Sequence, residues 1–172
     1  MASRGYMKRL REGHFFRDEW VVNDKGRWLA RTANRDGAFS YKAGTCPVVV
    51  QDVLSSLFFV RTQEPVPGSE FVMDINTRDN WPLVVKFIKR ETVKTKAGRF
   101  KTVLAEPLLR REGIFIQKGK RLRVWLTDDE RRIPVLMKVE VFFGHITASL
   151  EKMIALDREP PPNHSPPPGG GE

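Results

Sequence analysis

The side chains best suited to acid–base chemistry form one short run, Thr127-Asp128-Asp129-Glu130-Arg131-Arg132, between two strongly alternating segments. Paired carboxylates can divide general acid and general base work when their surroundings separate their pKa values. Adjacent residues at a turn point in different directions, however, and both are usually solvated. The sequence favours a structural turn in which aspartates pair with arginines over a catalytic or metal site, and a recognition loop is the third alternative. A calcium site is disfavoured because the central glycine and terminal glutamate of that loop pattern are absent.

Other familiar catalytic or metal-binding patterns are absent from the sequence. His164 lies in the C-terminal tail, His14 lies near the N-terminus, and His145 is expected to face outward from a strand. There is no HExxH, GxSxG, Walker or GxGxxG motif. Cys46 is the single cysteine, which excludes an intramolecular disulfide and a thiolate cluster. The sequence therefore predicts no catalytic residues, no metal and no cofactor, which disfavours the familiar enzyme classes.

Basic residues dominate one stretch of the chain. The 30 Lys+Arg and 21 Asp+Glu give a formal charge of +9, and residues 83–125 alone hold 13 basic and 3 acidic residues. A basic face with interleaved aromatics is typical of single-strand nucleic-acid binding. The phenylalanines fall on the aliphatic faces of the predicted strands, which disfavours nucleic acid, whereas Trp125 shares an expected outward face with Arg121 and Arg123 and predicts cation–π stacking there. The candidates for polyanion contact are Lys118, Lys120, Arg121 and Arg123.

That basic stretch has two further interpretations. It is also compatible with a solvated outer face whose lysines protect sheet edges, which is the interpretation favoured here. An anionic membrane surface or a glycan is the remaining alternative.

Alternation with a period of two recurs along most of the chain and predicts β-strands. The apolar side of two such segments is Leu122, Val124 and Leu126, and then the alternate residues from Ile133 to Phe143; Ile114 to Ile116 is a shorter candidate. The links are too short for parallel crossovers, so the sheet should be antiparallel. The predicted reversals are Pro67-Gly68, Asn80-Trp81-Pro82, Lys96-Ala97-Gly98, Gln117-Lys118-Gly119-Lys120 and Asp128-Asp129-Glu130-Arg131, with hairpin turns at Asn23-Asp24-Lys25-Gly26 and Asn34-Arg35-Asp36-Gly37.

One segment has helical spacing instead. Asp52 is a good N-cap, and the apolar residues after it recur every three or four positions: Val53, Leu54, Leu57, Phe58 and Val60. This predicts a short helix over about residues 52–62 that lays its apolar stripe on the sheet. The expected fold is mainly β, a curved antiparallel sheet or half-open β-barrel in a single domain over residues 1–153. The Pro/Gly-rich residues 154–172 are expected to be a disordered tail.

A curved sheet with one apolar face can hold an apolar or lipid-like ligand, because alternate residues line its interior. The expected ligand face is Val124, Leu126, Val135, Met137 and Val139. The alternative is that this face is only core, packed against the helix.

Several segments resemble a known bacterial family. They are Gln51 to Arg61, Arg90 to Phe100, Glu106 to Leu109, Trp125 to Pro134 and Phe143 to Leu150. Their order and spacing closely resemble the domain of unknown function 3108 over about residues 8–153. The resemblance implies a strongly curved antiparallel sheet or half-barrel, export to the periplasm or cell envelope, no established activity and no catalytic residues. It also makes one turn typical of the family, formed by Trp125, Asp128, Asp129, Arg131, Arg132 and Pro134.

The beginning of the chain departs from that resemblance. Family members usually start with a signal segment and further strands, whereas Met1 to Arg11 is basic and no apolar segment of a signal follows it. The expectation is an N-terminally incomplete domain with an open sheet edge that favours self-association. No apolar run reaches the roughly 20 residues that span a bilayer. The expected partner is an apolar ligand or an envelope protein, and the alternative is a cytosolic polyanion-binding module that uses residues 86–123.

Overall fold

The computed structural model of the chain describes residues 2–12, 14–77, 79–108, 121–141 and 143–154. The fold is mainly β, as the sequence predicts, with one short helix. The elements are β1 (Gly5–Glu12), β2 (Phe15–Asp24), β3 (Arg27–Asn34), β4 (Phe39–Thr45), α1 (Val53–Val60), β5 (Glu70–Asn76), β6 (Asn80–Thr95), β7 (Gly98–Leu108), β8 (Leu122–Thr127), β9 (Pro134–Glu140) and β10 (His145–Ser149). The predicted strand at Ile114 to Ile116, the reversal from Gln117 to Lys120 and the tail from residue 155 onward lie outside the described residues.

The strands form two antiparallel sheets. The four-stranded sheet has the order β1-β2-β3-β4, and the six-stranded sheet has the order β10-β9-β8-β7-β6-β5. Neighbours in each sheet are consecutive in the chain and antiparallel. The β2–β3 hairpin turns at Lys25 and Gly26, where the sequence predicts it, and both residues have positive φ, 42° and 81°. A two-residue hairpin loop of this kind needs positive φ at both positions, which Gly26 adopts without strain.

The two sheets are joined through residues 46–52. The Ser3 amide donates to the Val50 carbonyl at 2.8 Å. Gln51 forms a single parallel bridge beside Ile75, with its amide on the Asp74 carbonyl and its carbonyl on the Asn76 amide, both at 2.8 Å. The Asn80 side chain also donates to the Thr45 carbonyl at the end of β4. Main-chain hydrogen bonds therefore tie the edge of the six-stranded sheet to the first sheet.

Helix α1 starts where the sequence predicts, at the Asp52 cap. The Asp52 carboxylate accepts from the Leu54 and Ser55 amides at 2.8 and 3.0 Å, and the Ser55 hydroxyl accepts from the Asp52 amide at 2.9 Å. This reciprocal arrangement is a capping box, which satisfies orphan donors of the first turn.

The prediction that one continuous helical stripe covers the sheet is wrong for Val53, Leu54 and Phe58. Leu57, Phe59 and Val60 pack on the core, whereas Leu54 and Phe58 remain 68% and 45% exposed. The helix contacts the sheet mainly through its C-terminal half, so the apolar residues that point away from β5 stay in solvent.

The six-stranded sheet has apolar clusters on both faces. The first lies under α1 and includes Ile75, Phe87, Val103 and Leu126. The second, on the other face, is built on Leu104, Trp125 and Val135, with Leu150 packed against it. The Leu150 amide donates to the Val135 carbonyl at 2.9 Å, and its carbonyl accepts from the Ala97 amide at 3.2 Å. The segment after β10 thus reaches back to the β6–β7 turn, which requires the sheet to curve.

The predicted reversal at Asn80-Trp81-Pro82 is wrong. Those residues are the first three of β6, opposite Asn76, Ile75 and Asp74, and the chain reverses just before them. Proline is compatible with this position because, among the described residues, β7 pairs with β6 from Val84 onward and Pro82 has only Asp74 of β5 opposite it.

Candidate binding surface

One face of the four-stranded sheet, called the outer face below, carries apolar and aromatic residues in three cross-strand rows. Directly paired residues of neighbouring strands share a face, so the register defines these rows. They are Met7, Trp20, Arg31 and Tyr41; Gly5, Val22, Leu29 and Ala43; and Arg9, Asp18, Ala33 and Phe39.

The apolar residues of the outer face lie in solvent. The exposed fractions are 45% for Met7, 57% for Val22, 51% for Leu29, 56% for Phe39 and 64% for Tyr41. The opposite face is buried at its centre, where Val21, Trp28 and Ala30 pack together. A contiguous exposed apolar surface of this kind usually marks an interaction site.

Arginines lie among these apolar side chains. The Arg31 guanidinium stacks over the Trp20 ring at 4.4 Å and lies 5.3 Å from the Phe39 ring centre. Arg11 stacks over Phe16 at 3.6 Å and donates to Asp18 at 2.7 Å. The hydrogen bond from Arg11 holds the pKa of the Asp18 carboxyl below its ordinary value. The outer face is therefore apolar at its centre and cationic beside it.

Strand β4 forms one edge of this sheet. The described residues pair it only with β3, and every β4 residue except Gly44 is exposed. The Trp28 indole packs directly over Gly44, where a Cβ atom would lie 2.7 Å from Nε1. Glycine at this position thus lets the large buried ring of β3 lie flat against the edge strand.

A cavity of about 400 Å³ lies beside the β2–β3 turn of the four-stranded sheet. Its walls come from the first residues of the chain, the β2–β3 turn and the link after β4, and they include Ser3, Arg4, Asn23, Cys46 and Val48. Asn23 Oδ1 is buried and accepts no hydrogen bond from the described residues. Burial raises the pKa of the Cys46 thiol, so the thiol stays protonated at neutral pH.

The five residues of the expected ligand face do not share one face. Val124 and Leu126 are buried under α1 with Met137 beside them, whereas Val135 packs in the opposite cluster with Leu104 and Trp125. The placement of Val135 on the ligand face is therefore wrong. The reason is a β-bulge, because Trp125 pairs with Leu136 and Leu126 pairs with Pro134, which leaves Val135 as an extra residue. Val139 lies opposite Leu122 and is partly buried.

The acidic turn, residues Thr127 to Arg132, is a structural turn held by hydrogen bonds and an ion pair to Asp129. Asp129 accepts from the Thr127 hydroxyl at 2.6 Å, from the Arg131 and Arg132 amides at 3.1 Å, and from the Arg131 guanidinium at 3.1 Å. The Thr127 hydroxyl makes the strongest contribution to holding the pKa of Asp129 below its ordinary value. Asp128 pairs with Arg90 at 3.0 Å instead. The two carboxylates thus have different arginine partners and no shared proton.

The same turn also anchors the end of α1. The Arg61 guanidinium donates to the Arg131 carbonyl at 2.8 Å, and Arg132 donates to the Arg61 carbonyl at 2.9 Å. Arg132 has φ of 46°, and Pro134 follows as the first residue of β9. The expected family-like turn therefore connects the helix end to the six-stranded sheet.

The residues predicted to contact a polyanion are only partly described. Lys118 and Lys120 lie outside the described residues. The Arg121 amide donates to Glu140 at 3.2 Å, and the Arg123 guanidinium lies 3.4 Å from Glu106 and 3.8 Å from Glu140. The Arg123 charge is therefore balanced by two carboxylates.

The prediction of an outward Trp125 stacked on Arg121 and Arg123 is wrong. Trp125 is 7% exposed and belongs to the second apolar cluster. Its indole N–H donates to Glu91 at 2.8 Å, and the cation over its ring is Lys138, at 5.8 Å. The predicted alternation of side chains along β8 is correct. The face that carries Trp125, however, packs into the second apolar cluster instead of facing solvent.

A smaller group of cations lies near the turn of the β6–β7 hairpin. Lys94 lies opposite Arg99 in the register of β6 and β7, and Lys101 is the next residue on the same face of β7. Among the described residues, these three have no carboxylate within ion-pair distance. Lys86 and Lys89 of the same hairpin, by contrast, each pair with a glutamate at 3.0 Å.

No helix in the described ranges is long and apolar enough to cross a membrane. No group of three or more histidine, cysteine, aspartate or glutamate side chains is placed to hold a metal ion within those ranges.

A match to a known protein family shows the family to which the chain belongs. The family described as "Protein of unknown function (DUF3108)" matches residues 1–151. The chain belongs to this family. Neither the curated proteins nor the solved structures contain a match to it. DUF3108 membership confirms the resemblance inferred from the strands and turns, and the match extends to the first residue of the chain.

The sequence pattern did not identify the outer face of this DUF3108 protein as a binding surface. Leu29 alternates with Trp28 and Ala30, and both alternating sets contain large apolar residues. A strand that is apolar on both sides gives no sign of which side is buried. The signal that was available is the pair of hairpin turns at Asn23 to Gly26 and Asn34 to Gly37, because they fix which residues lie opposite one another.

Proposed function

We propose that this protein is a non-enzymatic binding or assembly module of the bacterial cell envelope, whose outer face receives an apolar or lipid-like partner. The observation that carries the proposal is the exposure of five large apolar residues on one sheet face, in rows that the register places side by side. Soluble monomers rarely leave a contiguous apolar surface of this kind unused. The envelope setting comes from the family resemblance.

The proposal moves the binding surface away from the residues that the sequence suggested. Val124 and Leu126 are 5% and 1% exposed and lie under α1, so they serve as core. Leu29 and Val22 are half exposed and lie opposite each other at the centre of the outer face. An apolar partner gains about 25 cal/mol for each Å² of apolar surface that it removes from water.

A neutral dye tests the proposal without involving charge. The intact chain should bind Nile red saturably and raise its fluorescence. The double variant Val22→Ser/Leu29→Ser should bind about tenfold more weakly, because it loses roughly 1.4 kcal/mol of apolar contact.

Val72→Ser provides the matched control for this dye titration. Val72 is 60% exposed on β5, in the other sheet, and the substitution should leave the dye affinity unchanged. Equal affinities for the chain and the double variant would reject the outer face as the binding surface. A native mass spectrum that shows an apolar compound carried through purification would support the same proposal.

Polyanion binding is a second candidate, favoured by Lys94, Arg99 and Lys101 of the β6–β7 hairpin, which have no carboxylate within ion-pair distance in the described part of the chain. It requires an affinity for single-stranded nucleic acid that falls steeply with salt, since each neutralised phosphate releases counterions. Fluorescence anisotropy with a labelled oligonucleotide at two salt concentrations measures this. A flat response to salt, or full binding by Lys94→Gln/Arg99→Gln, would reject it.

A further inference from the structure

The outer face combines apolar side chains with guanidinium groups. We propose that it docks on an anionic lipid surface, an inference that rests on the proposed function and names the partner. Leu29, Phe39 and Tyr41 would enter the boundary between headgroups and acyl chains, and the arginines beside them would contact phosphate oxygens.

The charge of the outer face favours an anionic partner. By register it carries four arginines, Arg9, Arg11, Arg27 and Arg31, and two aspartates, Asp18 and Asp24. Asp18 is 9% exposed and is held by Arg9 and Arg11 at 4.0 and 2.7 Å. Among the described residues, Arg27 and Arg31 have no carboxylate within ion-pair distance. Guanidinium groups bind phosphate through two parallel hydrogen bonds, so these two arginines are available for headgroups.

The aromatic residues favour a lipid surface over a protein partner of the same charge. Trp20 and Tyr41 combine an apolar ring with a polar tip, the type enriched where membranes meet water. Arg31 stacks on Trp20 and Phe39, so its charge is held at the level of the rings. Apolar residues and cations at one level match the boundary between acyl chains and phosphate groups.

The same charges disfavour a second copy of the chain as the occupant. Two outer faces brought together would bury eight arginines with only four aspartates. Like charges in a buried interface cost several kcal/mol. An anionic bilayer satisfies both the apolar centre and the arginines, whereas a second copy satisfies only the apolar centre.

Co-sedimentation with vesicles tests the inference on the full chain. The protein should bind vesicles of phosphatidylcholine with phosphatidylglycerol, and more weakly vesicles of phosphatidylcholine alone. Arg27→Gln/Arg31→Gln should lower the affinity for the anionic vesicles roughly fivefold for each charge removed. The same variant should keep its affinity for Nile red, which separates the charged contact from the apolar one.

Lys94→Gln/Arg99→Gln is the matched control, because it removes the same number of cations from the other sheet. Vesicle binding that this control abolishes, while Arg27→Gln/Arg31→Gln retains it, would overturn the inference. So would a concentration-dependent dimer that Val22→Ser/Leu29→Ser dissociates, since the face would then be occupied by a second copy. An intact chain that binds Nile red but does not bind the anionic vesicles would reject the lipid surface and leave the proposed function standing.

Tryptophan quenching gives a second readout of the docked face. Lipids with brominated acyl chains should quench the fluorescence of the bound protein, and Trp20→Phe should lose most of that quenching. Of the other three tryptophans, Trp28 and Trp125 are buried away from the outer face, at 8% and 7% exposure, and Trp81 packs against the first apolar cluster of the six-stranded sheet. Quenching that Trp20→Phe leaves unchanged would place a different surface against the bilayer.

Discussion

At the scale of single residues, the hydrogen bond between Trp125 and Glu91 shows how a buried polar group is satisfied in the second apolar cluster. The indole N–H donates to the Glu91 carboxylate at 2.8 Å, and Lys89 pairs with the same carboxylate at 3.0 Å. The hydrogen bond from Trp125 is the main reason that the pKa of Glu91 lies below its ordinary value. The carboxylate therefore stays ionised and can accept throughout the neutral range.

Replacing Glu91 should expose the cost of an unsatisfied indole N–H. Glu91→Leu should lower the free energy of unfolding by about 1–3 kcal/mol, because a buried donor loses its acceptor. Glu91→Gln keeps an amide oxygen in place and should cost less. Urea unfolding followed by near-ultraviolet circular dichroism measures both. Equal losses for the two variants would show that the charge, and not the acceptor, supports Trp125.

The same residues show where sequence reasoning reaches its limit. The period of two correctly separated Trp125 from Val124 and Leu126, and the residue types of the acidic turn predicted that its aspartates pair with arginines, as Asp129 does with Arg131. It could not show that β6 to β9 curve around a second core, because curvature depends on contacts between residues far apart in sequence, such as Leu150 with Ala97. Residue types over a few positions show which side of a strand a side chain occupies. They do not show whether that side is buried.

At the scale of elements, helix α1 depends on its cap. Burial of the Asp52 carboxyl opposes its ionisation, but hydrogen bonds from the Ser3 hydroxyl and from Ser55 and Leu54 outweigh burial and lower the pKa of Asp52 below 3.8. The eight-residue helix is too short to be stable alone. Its first turn is therefore stabilised by this carboxylate and by the N-terminal segment that contains Ser3.

Removing the cap should destabilise the protein in a way that depends on pH. Asp52→Ala should lower the free energy of unfolding by about 1 kcal/mol at neutral pH, and Asp52→Asn by less, because asparagine still accepts from the first-turn amides. A carboxyl whose folded pKa is lowered adds stability above its unfolded pKa and loses it as the pH falls through the folded value. Urea unfolding at neutral pH and at about pH 3 should therefore show a smaller acid loss in Asp52→Asn than in the parent chain. An identical acid loss would assign it to other carboxylates such as Asp129.

Features that local residue types determine could be predicted from the sequence, whereas features that depend on the pairing of two strands could not. The helix cap and the turns at Lys25-Gly26 and Lys96-Ala97 follow from residue types over a few positions. The bulges at Ile88 and Val135 do not, because a bulge is defined by the register of two strands. Each bulge shifts the alternation by one residue, which is why the expected ligand face included Val135.

At the scale of the whole molecule, the outer face exists because the strands divide into two sheets. The six-stranded sheet buries residues on both faces, with α1 over one cluster and Leu150 against the other. The four-stranded sheet buries only one face, around Val21, Trp28 and Ala30. Composition and periodicity do not reveal this division, because both sheets are built from the same kind of alternating strand. A continuous single sheet would fit the sequence equally well.

The connection between the two sheets gives the last prediction. The Asn80 side chain donates to the Thr45 carbonyl at the end of β4 and accepts from the Asn76 side chain at 2.6 Å. Asn80→Ala removes both hydrogen bonds while leaving the main-chain bonds of Gln51 with Asp74 and Asn76 intact. Amide hydrogen exchange should therefore become about thirtyfold faster in β4 and in residues 46–52, because the two lost hydrogen bonds together cost roughly 2 kcal/mol of local stability.

Asn34→Ala is the matched control for this exchange measurement, since Asn34 is an exposed asparagine at the end of β3. It should leave the exchange of β4 unchanged, and neither variant should alter exchange in β7 and β8, which lie inside the six-stranded sheet. Faster exchange throughout both sheets after Asn80→Ala would mean that they unfold as one cooperative unit. Unchanged exchange would mean that the Gln51 bridge alone holds the outer face in its position relative to the six-stranded sheet.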